Sequence, residues 1–244
     1  MRAPLSAIQE RFDILPDSRR FPVYDAGCRR CGRLATFLDE VRTAHPTYFC
    51  RPVPPFGAAG ARLVIVGLAP GLHGANASGR PFTGDHAGIL LYGTLHAYGY
   101  GSQPQGAATG DGLVLTDCRI TNAVKCLPPA NKPLPAEIRA CNDYLAADLA
   151  TVPDGGAIVA LGRIAHEATL KALACGKATF AHGAEHRLDR GIVLVDSYHC
   201  SRYNTNTRRL TPEMFRSVFD AVARHLGRDG FAARPARGGA PVPR

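Results

Sequence analysis

One stretch constrains this chain more than any other. Residues 62–67 (RLVIVG) form a short, apolar, β-branched run ending in glycine, the pattern of a strand covered on both faces. The run leads into a glycine-rich loop, residues 68–85, with Gly71, Gly74, Gly79 and Gly84 in it. Residues 113–116, 157–161 and 192–196 repeat the strand pattern. Helical periodicity fills the gaps at 33–43, 87–98, 135–149, 163–174 and 212–226, the last with Thr211 as N-cap and Pro212 at its first position. Strands alternating with helices require crossover connections. The expected fold is therefore α/β, a three-layer αβα domain around a central, mostly parallel four-stranded sheet. Ligands in such sheets bind beyond the carboxyl ends of strands, which directs attention to the loops after Gly67, Thr116, Leu161 and Asp196.

Residues 1–227 read as a single domain. Residues 228–244, rich in Arg, Gly, Ala and Pro, read as a disordered basic tail. The chain has 244 residues, 45% of them hydrophobic, and its longest apolar runs fall well short of the roughly 20 residues of a membrane helix. No apolar signal core follows Met1. A cytoplasmic protein with no membrane partner is expected. The net charge of +9 makes a polyanion a reasonable partner without identifying one.

Eight cysteines without a secretory signal suggest metal or redox chemistry before disulfides. Cys28 and Cys31 form a C-x-x-C pair among Arg29, Arg30 and Arg33, and Cys126 and Cys141 bracket a proline-rich loop. Four thiolates suit a structural zinc or a [4Fe–4S] cluster, and ligand softness does not separate them. Cys50, Cys118, Cys175 and Cys200 read as small buried side chains.

The loop after the first strand is no Rossmann fingerprint, and the chain has neither a P-loop nor a G-x-S-x-G elbow. Its aromatic, Phe82 beside Arg80, suits a floor on which a planar ring stacks; the alternative is a core plug. Asn122 can offer a base edge both a donor and an acceptor, or simply cap a turn. His199 directly follows an apolar strand. Ser201, Arg202, Arg208 and Arg209 would form a phosphate-contacting rim, with Lys125 adding charge; the alternative is a solvated basic loop.

Taken together, GLAPG at 67–71 with GRPFTGD at 79–85, Thr121-Asn122 before Cys126, and Tyr198-His199 with Asn204-Thr205 resemble the uracil-DNA glycosylase superfamily, most closely its type 5, iron–sulfur branch. The resemblance spans residues 28–226 and implies a monomer, nucleoid-associated when bound to DNA. It implies a monofunctional glycosylase that flips a deaminated base out of double-stranded DNA and hydrolyses its N-glycosidic bond, leaving an abasic site for base excision repair. It further implies a [4Fe–4S] cluster on Cys28, Cys31, Cys126 and Cys141, with structural zinc as the alternative. By the same resemblance Phe82 stacks on the base, Asn122 positions it, and His199 donates to it as charge develops. Leu68, Ala69 and Gly71 complete the base pocket. Ala69 stands where other branches carry a polar water activator, which leaves Asn76 to orient the water and predicts tolerance of hypoxanthine; Asp85 is the available carboxylate, but its place at the start of a helix reads as an N-cap. The competing reading is a noncatalytic nucleic-acid-binding module with a structural metal site.

Overall fold

The computed structural model describes residues 24–228; residues 229–244 of the expected tail lie outside the described residues. The elements in order are α1 (Gly32–Ala44), β1 (Leu63–Gly67), a one-turn α2 (Ala75–Ser78), α3 (His86–Ala97), β2 (Cys118–Asn122), α4 (Pro135–Ala150) and β3 (Ala157–Leu161). They continue with α5 (Arg163–Ala172), β4 (Glu185–Arg187), β5 (Val193–Ser197), a short α6 (Arg202–Asn206) and α7 (Pro212–His225). As expected from the sequence, the Thr211 side chain caps α7, accepting from Met214 N.

The sheet order is β2-β1-β3-β5-β4. The first four strands are parallel, and β4 pairs antiparallel with β5. Side chains of β1 alternate between two cores. Leu63 and Ile65 join α3 and α7 on one side, while Val64 and Val66 join α4 and α5 on the other, so the three expected layers form.

Two expectations need correction. The sheet has five strands among the described residues, not four: β4 is only Glu185-His186-Arg187, two of them exposed, and a short charged edge strand carries no apolar signal. The second strand is Cys118–Asn122 rather than 113–116. In the latter segment Leu113 and Leu115 are buried while Val114 is 58% exposed, and it meets the fold through one isolated bridge from Leu115 to Gly101. The real strand hides behind polar residues whose partners lie elsewhere in the chain: Arg119 and Thr121 both donate to the Asp148 carboxylate on α4.

Candidate active site

In the parallel register of β1 and β2, Gly67 stands opposite Asn122 at the carboxyl ends of both strands. A Cβ on Gly67 would lie 2.4 Å from Asn122 Oδ1 and 2.8 Å from Phe82 Cζ. The hydrogen at this position therefore lets the amide and the ring converge on one point. Beyond them opens a cavity of about 490 Å³, with Leu68, Ala69, Gly71, Phe82, Asn122 and His199 in its wall. Its position at the strand ends is where the fold class places a ligand.

Phe82 is buried and holds a left-handed backbone, φ 58°, which a bulky residue adopts only under constraint. The constraint comes from Arg80 nearby. Its Nε donates to Thr83 Oγ1 at 2.6 Å and its guanidinium forks onto Asp111 at 2.9 and 2.7 Å. The Phe82 and His199 rings lie 6.1 Å apart, centre to centre, at 26°.

His199 is fixed from below, since Asn204 on α6 donates through Nδ2 to the His199 carbonyl at 2.8 Å. Ser201 caps α6. Burial pushes the His199 imidazole down to about 4, so at neutral pH it carries one ring N–H and no charge. Asn122 is 4% exposed, and its Oδ1 accepts no hydrogen bond among the described residues. An orphan amide oxygen in a cavity wall is costly unless a ligand meets it.

Asn76 stands apart from the other site residues. It is fully buried on α2, its Nδ2 donates to Cys50 Sγ at 3.5 Å, and it is not part of the cavity wall. Its neighbour Ala75 is. The Asn76 Oδ1 is another buried acceptor without a partner among the described residues.

The cavity also recruits residues that sequence reasoning passed over or read otherwise. Asp85 precedes α3 but makes no side-chain cap to it; it lines the cavity instead, its Oδ2 accepting from Ala75 N. Asn131 arrives from the proline-rich loop between Cys126 and Cys141, and Tyr203 stands at the mouth, 71% exposed. An exposed aromatic is invisible in sequence because exposure is a tertiary property. Ser201 and Arg202 line the same mouth, while Arg209 stacks its guanidinium 4.7 Å over Tyr198. Arg208 is exposed just beyond α6. Lys125 does not add surface charge as the sequence suggested: it is 2% exposed and paired with Asp148 at 2.7 Å. A lone cationic head there would be unaffordable without that carboxylate.

Cys28, Cys31, Cys126 and Cys141 come from three segments to line one small pocket. None of the four forms a disulfide among the described residues, and they pack with Leu34, Val124 and Tyr144. Lys125 N–H donates to Cys141 Sγ at 3.3 Å. This donor set, soft and nearly oxygen-free, fits a thiolate-bound iron–sulfur cluster and equally a four-thiolate zinc. The same apolar group includes Ala69, so the cysteine pocket backs directly onto the cavity wall. Cys50, Cys118 and Cys200 are buried in the core, and Cys175 is half-buried.

Comparison with known proteins agrees with this geometry. The family profile described as "Uracil DNA glycosylase superfamily" matches residues 54–223. A type-5 uracil-DNA glycosylase of Thermus thermophilus is 45% identical over 207 residues, covering 82% of this chain and 94% of that protein. A type-5 uracil-DNA glycosylase of Mycobacterium bovis is 42% identical over 210 residues, covering 82% and 78%. A type-4 uracil-DNA glycosylase of Archaeoglobus fulgidus is 35% identical over 139 residues, covering 57% and 56%.

Proposed function

Since this chain belongs to the uracil-DNA glycosylase superfamily, with type-5 relatives along most of its length, we propose that it excises uracil and other deaminated bases from double-stranded DNA. The orphan Asn122 amide between Phe82 and His199 is the observation that carries this reading. A deaminated base presents a carbonyl beside a ring N–H: O4 and N3–H in uracil, O6 and N1–H in hypoxanthine. Cytosine and adenine present an amine beside a bare ring nitrogen there. One carboxamide pairs with the first pattern by accepting from the N–H and donating to the carbonyl. Hypoxanthine is therefore included in the proposed range, and the small Ala69 leaves room for the larger ring.

The flipped base stacks on Phe82, and flipping itself costs a few kcal/mol, least at a mismatch. Tyr203, aromatic and exposed at the mouth, fills the gap left in the duplex, while Ser201, Arg202, Arg208 and Arg209 hold the distorted phosphates. As the glycosidic bond lengthens, the base becomes anionic and the sugar cationic. His199, neutral because of burial, donates its N–H to the base oxygen, and Leu68 and Gly71 add their backbone at the same edge. Asn76, the residue the sequence offered for orienting the water, lies behind the cavity wall with its Nδ2 on Cys50 Sγ, and supports the loop that carries Ala75 rather than the water itself.

Cys28, Cys31, Cys126 and Cys141 would hold a [4Fe–4S] cluster, which supplies no electron to a hydrolysis. Those residues brace Ala69 and present Asn131 to the DNA. The test is a panel of duplexes, each with one deaminated base, followed by alkaline cleavage. Strand breaks at uracil and hypoxanthine are expected. Cleavage at uracil alone would remove the broader range, and binding without any cleavage would favour a noncatalytic module.

A further inference from the structure

The hydrolysis needs a group to take a proton from the attacking water, and a carboxamide such as Asn76 is a poor base. Among the described residues that line the cavity, Asp85 is the one acid. Asp85 is shielded yet makes no ion pair among the described residues, and its carboxylate receives a single hydrogen bond, from Ala75 N at 3.2 Å to Oδ2. Its sequence position predicts an N-cap, but α3 receives no side-chain cap from it. Two glycines leave space for it: a Cβ on Gly71 would lie 2.7 Å from Asp85 Oδ1, and one on Gly74 only 1.9 Å. A loop that omits two side chains to seat an unpaired carboxylate against a cavity has placed charge where a ligand will be.

Resting on the proposed glycosylase reading, we propose that Asp85 is a further catalytic residue, the acceptor of the proton from the attacking water. In the step, the water oxygen bonds to C1′ of the sugar. The C1′–N bond breaks and its electron pair leaves with the base. One water proton passes to Asp85 Oδ1, giving a neutral carboxyl, an abasic sugar and a base anion; the proton later returns through solvent to the base. Before transfer, the negative carboxylate also faces the positive charge growing on the sugar.

Burial raises the Asp85 carboxyl above its ordinary value, partly opposed by the Ala75 amide. The other titratable or charged groups around it are His86 on α3, His199 and Cys200 after β5, and Arg202 and Tyr203 on α6. His73, nearby on the loop, turns its ring to Tyr48 instead. The rate of bond cleavage should therefore fall with acid as Asp85 takes a proton, at a higher pH than an ordinary aspartate would require.

The experiment is single-turnover cleavage of a uracil duplex by the wild type and Asp85→Asn across pH, with binding of the uncleaved duplex measured beside it. Asparagine keeps an acceptor for Ala75 N–H and removes the charge. A loss of about 10²- to 10⁴-fold in rate, with binding kept and the acid limb of the wild type shifted or lost, is expected. A rate within a few-fold of wild type, or an unchanged acid limb, would overturn the proposal. Should Asp85→Asn fail to fold, Asp85→Ala with added formate replaces it: rate restored by formate supports the assignment, and no restoration in a folded protein overturns it. A wild type inactive on every lesion would instead overturn the glycosylase reading itself, and the proton role with it.

Discussion

At the scale of single residues, the site depends on a few atoms whose replacement has separable effects. Asn122→Ala and His199→Ala each remove one group facing the base, and a loss of about 10²- to 10³-fold in excision is expected for each, with duplex binding retained; gel-shift and single-turnover assays separate the two. Gly67→Ala places a methyl 2.4 Å from Asn122 Oδ1 and 2.8 Å from Phe82 Cζ. Overpacking of this kind destabilises by about 1–3 kcal/mol, and excision should fall further than stability because both displaced groups belong to the pocket. His199 also links folding to pH. Its folded value, near 4, lies below the ordinary 6.5, so the unfolded chain binds the extra proton first and stability drops as pH falls from 6.5 toward 4. Melting temperatures should show a shallower decline in that window for His199→Ala than for the wild type.

At the scale of elements, buried charge holds the site-bearing segments together. Asp148 on α4 receives Thr121 and Arg119 from β2 and Lys125 beyond it. Burial opposes its ionisation, but Lys125, Thr121 and Arg119 together hold its carboxyl below the usual range. Asp148→Asn leaves Lys125 buried without a counter-charge, for which a loss of about 3–5 kcal/mol is expected by chemical denaturation. The same network explains why β2 escaped sequence reading. Its polar residues resemble a loop until α4 supplies their partner, whereas β1, β3 and β5 have every residue buried and announce themselves by hydrophobicity alone.

For the whole molecule, the charge of +9 acts through where it is exposed. Lys125 contributes nothing to that surface, and Arg80 is consumed by Asp111. Arg202→Ala and Arg208→Ala should each reduce the slope of log K against log salt by about 1 unit in duplex binding. The cysteine pocket joins α1, the segment after β2 and α4 at the back of Ala69. For the proposed [4Fe–4S] cluster, Cys28→Ser should lower iron content, thiolate-to-iron absorbance and melting temperature together; full iron content in that variant would refute the four-cysteine assignment.

The sequence by itself determined the layered α/β architecture, because apolar period and glycine punctuation are local and survive without neighbours. It also indicated Phe82, Asn122 and His199, since each lies in a motif that resembles the superfamily and sits at or beyond the carboxyl side of a strand, where the fold class opens its ligand site. What only the tertiary structure decided was which polar residues are spent and which are free. Lys125 and Arg80 are locked in ion pairs, Asn76 sits behind the wall, and Asp85 lines the cavity with no side-chain cap to α3 and no counter-ion among the described residues. Pairing depends on partners far away in the chain. No spacing within one segment encodes it, so the chemistry of the site became legible only once the strands had brought those segments together.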